Sequence, residues 1–479
     1  MDRNKEFYDL LEILMGRDGA LYLEAASGNG RDWFRFNPLK FDLEFQHSLL
    51  LKEGFVPERA EGFGDLWSVK RPSRGGRGIG KSLSHFLGNI YIQNPASMMP
   101  PLILDPQPGE TVLDLCAAPG SKTSMLASLM QGKGLLAAND RAKRRLQALV
   151  FNLRRCGVPN ALCFSEFGEH FGNLYYEHFD RVLVDPPCSA LGTVGKNPEV
   201  LSWWNRERSL SLSRVQLSLL ISGIKALKPG GLLVYSTCTI TAEENEGVLD
   251  QVLRKFPLEL ENIRIPGFPA RPALQEFEGK RFHPETGKAV RLYPHETGTE
   301  GFFIACIRKT GRCGEPKLNQ PRRLRQGQLV TCEDPRVSGH LAELEEKFGL
   351  ERAVFADKAF RPGKNLNWLN EEALSFPCYL PISGAGYPLA HIGSVPARLT
   401  TEAIHAIGDS VRKHRLDLEG TAQLQSYVNR REVDTAAEDC DQAVVFYDGH
   451  PIGHGLVIGG KLLSRFPRIG WEFQFMIDD

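Results

Sequence analysis

TVLDLCAAPGSKT, residues Thr111–Thr123, is the stretch that decides the fold. TVLDLC is a short, unbroken apolar run of the length of a buried strand, and SMLASLM just downstream reads as a helix. Between them Cys116, Ala117, Ala118, Pro119, Gly120, Ser121 and Lys122 make a turn of mostly small residues. Small residues let the backbone approach a ligand closely, and a helix N-terminus offers N–H groups with no intrahelical partner. A single glycine stands in the turn, so it is neither the dinucleotide GxGxxG nor a Walker phosphate loop.

The next apolar run, GLLAAND, ends at Asp140, about 20 residues past Gly120. A carboxylate there can accept hydrogen bonds from both ribose hydroxyls of a nucleoside. A nucleoside cofactor without a pyrophosphate, such as S-adenosylmethionine, satisfies both features; the plainer reading is a structural turn and an N-cap aspartate. RAKRRLQALVFNLRRCG follows as a basic helix closed by Gly157. FDRVLVDPP and GLLVYSTCT read as two further buried strands, separated by a helix with an ALKPGG stop. EENEGVLDQVLRKFP is a helix and GFFIACIRK a late strand. This alternation predicts an α/β fold, a doubly wound parallel sheet with helices on both faces.

Two cysteines carry the chemistry. Cys188 in VLVDPPCSALG and Cys238 in GLLVYSTCTI each lie just past a strand, where α/β folds place ligand-facing residues, and Asp185 precedes the first. A lone cysteine is usually a small buried hydrophobe. Two at the tips of different strands, aimed at one cleft, point instead to thiol chemistry. The chain has 10 cysteines but no CxxC pair, which argues against a zinc site or a disulfide framework and for reduced thiols in the cytoplasm; no metal is expected. No run approaches about 18 apolar residues, so no membrane span is expected, and the N-terminus does not read as a signal peptide.

At 479 residues the chain calls for about two to four domains. The expected division is an N-terminal α+β region over 1–90, ending in the Gly/Arg-rich RPSRGGRGIGKS, then a catalytic domain over 91–310. A polar linker over 311–340 and a β-rich domain over 341–479 follow. In the last, VVFYDGHPIGHGLVIGGKLLSRFPR predicts strands joined by Asp-Gly and Gly-Gly turns. Lysine plus arginine and aspartate plus glutamate each number 58, so any nucleic acid must be met by local basic patches. Candidates are Arg74, Arg77 and Lys81, and Arg322, Arg323 and Arg325. Arg141, Lys143, Arg144 and Arg145 read rather as the solvated face of a helix.

DLCAAPGSKT, DPPCS and YSTCT together resemble three signature motifs of the RNA cytosine carbon-5 methyltransferases of the NOP2/Sun (Fmu-like) family. YIQNPASMMPP and EGFFIACIRK extend the resemblance over roughly residues 30 to 310. The C-terminal part looks like the PUA-like tail of bacterial members that methylate small-subunit ribosomal RNA. The resemblance implies a class I, Rossmann-like S-adenosylmethionine-dependent methyltransferase core, flanked by an N-terminal RNA-binding region and a PUA-like RNA-binding domain. The implied substrate is a cytidine in structured RNA, 16S ribosomal RNA first and transfer RNA as the alternative, and the implied enzyme is a monomer. A non-catalytic ribosome assembly factor is the reading of another class.

By their places in these motifs, Cys238 is implied to be the nucleophile and Cys188 the cysteine of the release step. Asp185 is implied to grip the base and Asp140 the ribose. Glu166, in CFSEFGEHF, stands where the family has an aspartate near the adenine. Two departures are visible. The family's Gly-x-Gly after the first cysteine is here Ala190-Leu191-Gly192, and Gly195 precedes Lys196 where a basic pair is usual. Lys122 is left between orienting a cofactor carboxylate or a substrate phosphate and simply opening a helix.

Overall fold

The computed structural model describes residues 5–26, 30–60, 65–72, 76–265, 267–314, 329–392 and 397–476. At its centre five parallel strands stand side by side: β1 (Thr111–Asp114), β2 (Leu135–Asn139), β3 (Ala161–Phe164), β4 (Phe179–Val184) and β5 (Leu227–Thr237). The antiparallel strands β6 (Leu258–Glu261), β7 (Val290–Leu292) and β8 (Phe302–Lys309) complete the core. Across the sheet the order runs β7-β8-β5-β4-β1-β2-β3, and β6 pairs with β8. Val112, Leu113, Leu136, Ala137, Leu183 and Val234 are wholly buried, as both-face coverage of a parallel sheet requires.

Four helices cover the faces: α1 (Ser121–Leu129), α2 (Lys143–Arg155), α3 (Arg206–Ala226) and α4 (Glu246–Leu253). α2 buries Leu146, Leu149 and Leu153 along one face, and Gly157 follows its end at φ +66. The strand order reverses between β1 and β4, which opens a crevice at the carboxyl ends of the strands. The two cysteine loops, the small-residue turn and Asp140 all follow strand ends on that side.

Two element ends differ from the sequence reading. β5 begins at Leu227 rather than after the Pro-Gly-Gly: Phe179 pairs with Leu227 and Arg181 with Leu232, so the glycines bulge within the strand, Gly230 at φ +83. α4 starts at Glu246, three residues later than the acidic run suggests, because Glu244 and Asn245 are buried in the turn before it.

Before the core, an antiparallel sheet takes the order Glu58–Arg59, Leu66–Lys70, Arg31–Phe36, Ile90–Ile92. After it come a four-stranded and a five-stranded sheet. Within the latter, Cys440–Tyr447, His450–Ile458 and Lys461–Ser464 form two hairpins with the expected turns. Asp448, Gly449, Gly459 and Gly460 all have positive φ, as tight two-residue hairpins demand. Of the expected linker, 315–328 lie outside the described residues, whereas Val330, Cys332 and Val337 are buried.

The C-terminal part is tied to both earlier parts. Gly384–Ala385 adds an antiparallel strand to the free edge of β3. Phe41, Phe45 and Leu49 share a core with Tyr447, Ile452, Phe466 and Phe473 from the last sheet. The Phe45 and His450 rings lie 4.1 Å apart, and Lys52 pairs with Asp448 at 2.6 Å. Phe45→Ala therefore costs about 3–5 kcal/mol, the usual loss for a buried phenylalanine. Urea unfolding should register it, with faster amide exchange in 440–464 and unchanged exchange in β1 and β4.

Candidate active site

Gly120, at φ +103, turns the chain out of β1 and into α1, and the first turn of that helix carries Lys122. Lys122 Nζ lies 2.7 Å from Asp185 Oδ2, and Ser236 Oγ donates to Asp185 Oδ1 at 2.8 Å. The start of α1, the loop after β4 and the end of β5 thus meet at one carboxylate. Burial is the largest single influence and lowers the Lys122 pKa, but the charge and hydrogen bond of Asp185, with the charges of Cys238 and Asp114, together outweigh it and raise the ammonium's pKa.

Cys188 and Cys238 are brought together, sulfur to sulfur, at 3.3 Å. The hydrogen bond to the Cys238 sulfur, then burial, then the charges of Glu244 and Asp185 push the Cys188 thiol well above its ordinary range. Either sulfur can donate in this contact, so the two thiols share one proton path.

A buried polar layer fixes the two loops. Glu244 accepts from Ser189 N at 2.9 Å, Gln216 Nε2 at 2.8 Å and Thr241 Oγ1 at 3.0 Å. Ser189 Oγ meets Thr239 Oγ1 at 2.6 Å. Gly192 donates to the Cys238 carbonyl and accepts from Gly301 N, both at 2.9 Å, and a Cβ on Gly192 would collide with the Gly301 and Cys238 backbone. Glycine is thus required there by contact. Ala190, by contrast, sits at φ +57 with a Cβ.

At the neighbouring strand ends, Ala117 N donates to Asn139 O at 2.8 Å, which joins the small-residue turn to β2. Burial pushes the Cys116 thiol well up and Asp114, behind the turn, to about 7. Asp140 Oδ1 caps Ala142 N at 2.9 Å, while its Oδ2 is buried without a hydrogen-bond partner; Arg145 Nη1 stands 3.5 Å off. An orphaned acceptor beside a glycine turn fits the hydroxyls of a nucleoside. Glu166 is held through its backbone N–H and C=O by Asn139, at 3.0 and 3.1 Å. Its carboxylate turns to Phe167 N, 2.7 Å away, and to His170.

Beside this centre a cleft of about 530 Å³ separates the N-terminal sheet from the core, lined by Trp33, Tyr91, Ser121, Thr193, Lys196 and Glu300 among others. Burial raises the Glu300 carboxyl, with Lys196 Nζ at 3.8 Å. Of the basic candidates, Arg77 is committed to structure: it bonds Glu53 O at 3.0 Å and Gln474 O at 3.1 Å. Arg145 bonds Ala118 O at 2.6 Å and Arg141 lies over the Phe167 ring. Arg74, Arg322, Arg323 and Arg325 lie outside the described residues.

With these features in place, likeness to known proteins becomes informative. Residues 101–308 match the family model of the 16S rRNA methyltransferase RsmB/F. A ribosomal RNA small subunit methyltransferase F from Cronobacter sakazakii is 30% identical over 96% of this chain and 95% of its own length. The chain belongs to this family of RNA cytosine carbon-5 methyltransferases. A tRNA (cytosine(49)-C(5))-methyltransferase from Pyrococcus abyssi is 42% identical over 48% of this chain and 73% of its own. The solved structure of a methyltransferase homolog from Pyrococcus horikoshii superposes with a TM-score of 0.56 at 37% identity, over 63% of this chain and 94% of that one. The fold is accordingly the class I methyltransferase core with a β-rich C-terminal part.

Sequence reasoning missed Ser236, Gln216, Glu244 and Glu300. Ser236, two residues before the STC cysteine, was within reach, since it alternates with Tyr235 along a strand. Gln216 and Glu244 carry no local signal, because each meets its partner only through the fold. Ala190 generates a test of the family departure. Relieving its left-handed backbone with Ala190→Gly should raise stability by about 1 kcal/mol, read as an upward shift in Tm.

Proposed function

We propose that the chain methylates carbon 5 of a cytidine in structured RNA, small-subunit ribosomal RNA first, through a covalent bond between Cys238 and the base. The carrying observation is the thiol pair at 3.3 Å beside an Asp185 that Lys122 and Ser236 pin. The enzyme works as a cytoplasmic monomer, with a catalytic domain over 91–310 and RNA-binding parts over 1–90 and 341–479. Among the described residues no helix is long and apolar enough to cross a membrane.

Carbon 5 of cytosine is a weak nucleophile within the aromatic ring. Addition of the Cys238 sulfur to carbon 6 breaks the aromaticity and makes carbon 5 an enamine carbon. Asp185, held as an acceptor at the strand tip, receives the amino edge of the cytosine and stabilises a proton on ring nitrogen 3. S-adenosylmethionine supplies an electrophilic methyl group when bound. Cys116–Ser121 would hold it, Asp140 Oδ2 would accept from its ribose hydroxyls, Glu166 would stand on its adenine side, and Lys122 and Asp185 would stand at its reactive end.

Release needs the carbon 5 proton to leave and the carbon 6–sulfur bond to break. Cys188 serves this step, as the base for that proton or as the donor to the departing Cys238 sulfur. A flipped-out base costs a few kcal/mol of stacking, which RNA contacts in the cleft around Trp33 and Tyr91, next to the thiol pair, offset.

Transfer RNA is the second reading, favoured by the Pyrococcus abyssi relative. Bisulfite mapping of both RNA classes, from cells with and without the protein, separates them: a lost mark in 16S RNA supports the first reading. Cys238→Ala should abolish methyl transfer while cofactor binding stays within about twofold, and retained turnover overturns the nucleophile. Cys188→Ala should accumulate a protein–RNA adduct stable in denaturing gels; normal turnover without adduct removes the release role. Asp140→Ala should weaken cofactor binding about tenfold or more, the worth of a good charged hydrogen bond.

A further inference from the structure

A second depression lies beside the catalytic cleft. It measures about 660 Å³ and is walled by the end of α2, by Lys40 and Phe86–Leu87, and by Thr401–His405 and Arg468 from the C-terminal part. Arg155 belongs to its wall and reaches the ring of Tyr91, 5.5 Å away, which lines the catalytic cleft. The two hollows therefore adjoin.

Its charge is uncompensated. Among the described residues of its wall, Lys40, Arg154, Arg155 and Arg468 face a single acid, Glu402. Arg155 is engaged with the His85 carbonyl. Arg154 is different: its Nε is buried and meets no acceptor. Arg154 also lies close enough to Arg361 for its charge, added to burial, to lower the Arg361 pKa. Lys40 Nζ is 2.9 Å from His405 Nδ1, and burial brings Lys40 down to about 8. Arg468 is exposed, with no carboxylate partner among the described residues. At the rim Phe151, on α2, is 65% exposed.

Like charges gathered without counter-ions cost the fold stability unless an anion completes them. An exposed aromatic ring among cations matches one polyanion in particular, a nucleic acid strand, whose bases stack while its phosphates pair. An acidic peptide would satisfy the cations and leave the ring unused.

We propose that this groove binds a single-stranded segment of the RNA substrate away from the target base, with Phe151 stacking on a base and Lys40, Arg154 and Arg468 holding phosphates. The inference rests on the RNA methyltransferase reading and adds a second point of grip. It places the strand across the seam between the core and the C-terminal part, so the substrate must reach past the modified cytidine.

The test uses full-length protein and unlabelled RNA competing with a fluorescent single-stranded oligonucleotide. For Phe151→Ala, and separately for Arg154→Gln with Arg468→Gln, binding should weaken about tenfold, the scale of a lost stack or of two phosphate contacts. The salt slope of log K should fall by about 1.4 in the double variant only. In methyl transfer, KM should rise with kcat unchanged. Unchanged affinity and slope in folded variants overturn the groove. So does competition by polyglutamate as effective as by RNA of equal charge. A wild type that binds the oligonucleotide through these residues but never methylates RNA would instead overturn the enzymatic reading and leave the groove standing.

Discussion

The carboxylate of Asp185 is the joint on which the catalytic arrangement depends. Its two oxygens are divided between Lys122, in the first turn of α1, and Ser236, at the end of β5, while Asp185 itself begins the loop after β4. Removing one partner would leave a largely buried charge without its complement, a greater penalty than the pair's net worth. The same carboxylate feeds into the chemistry, since its charge contributes to the proton affinity of Cys188 and of Lys122. Structure and reactivity therefore share one group, and the loops cannot be repositioned without altering both.

Under that joint, the protein gives up apolar packing for a polar layer. Glu246 and Arg291 form a buried, two-pronged ion pair at 2.7 and 2.5 Å, and Arg291 also donates to Ile240 O at 2.8 Å, next to the nucleophile loop. Tyr235 donates to Glu244 O and Thr237 to Asn245 Oδ1, each at 2.6 Å. Buried networks of this kind are exacting about geometry, and a thiol pair 3.3 Å apart needs that exactness more than it needs stability.

Much of the core was legible because its signals are local. An unbroken apolar run, a turn of small residues and an acid at the next strand end need no tertiary knowledge, and they place β1, α1 and Asp140 where they are found. The Asp-Gly and Gly-Gly hairpins were legible for the same reason, since positive φ at paired turn residues has a composition signature. What could not be read depends on long-range meetings. Glu244 looks like one more surface acid at a helix start, yet it is wholly buried under Ser189, 55 residues away. Arg77 looks like a nucleic-acid contact, yet it is consumed by Glu53 and the Gln474 carbonyl. The Pro-Gly-Gly of residues 229–231 punctuates a sequence, but flanking strand pairs on both sides of it override the stop.

The strand Gly384–Ala385 on the edge of β3, and the last sheet against Phe41, Phe45 and Leu49, have a consequence for biosynthesis. The catalytic sheet has all its other strands once β8 is made, yet the edge of β3 stays uncovered until Gly384–Ala385 is made, and the apolar face of Phe41, Phe45 and Leu49 until Tyr447–Phe473 is made. At ordinary elongation rates that interval is roughly ten to thirty seconds. During it the nascent protein presents an open strand edge and bare phenylalanines, the two features that most invite misassembly. Chaperone protection during translation would matter most in that interval.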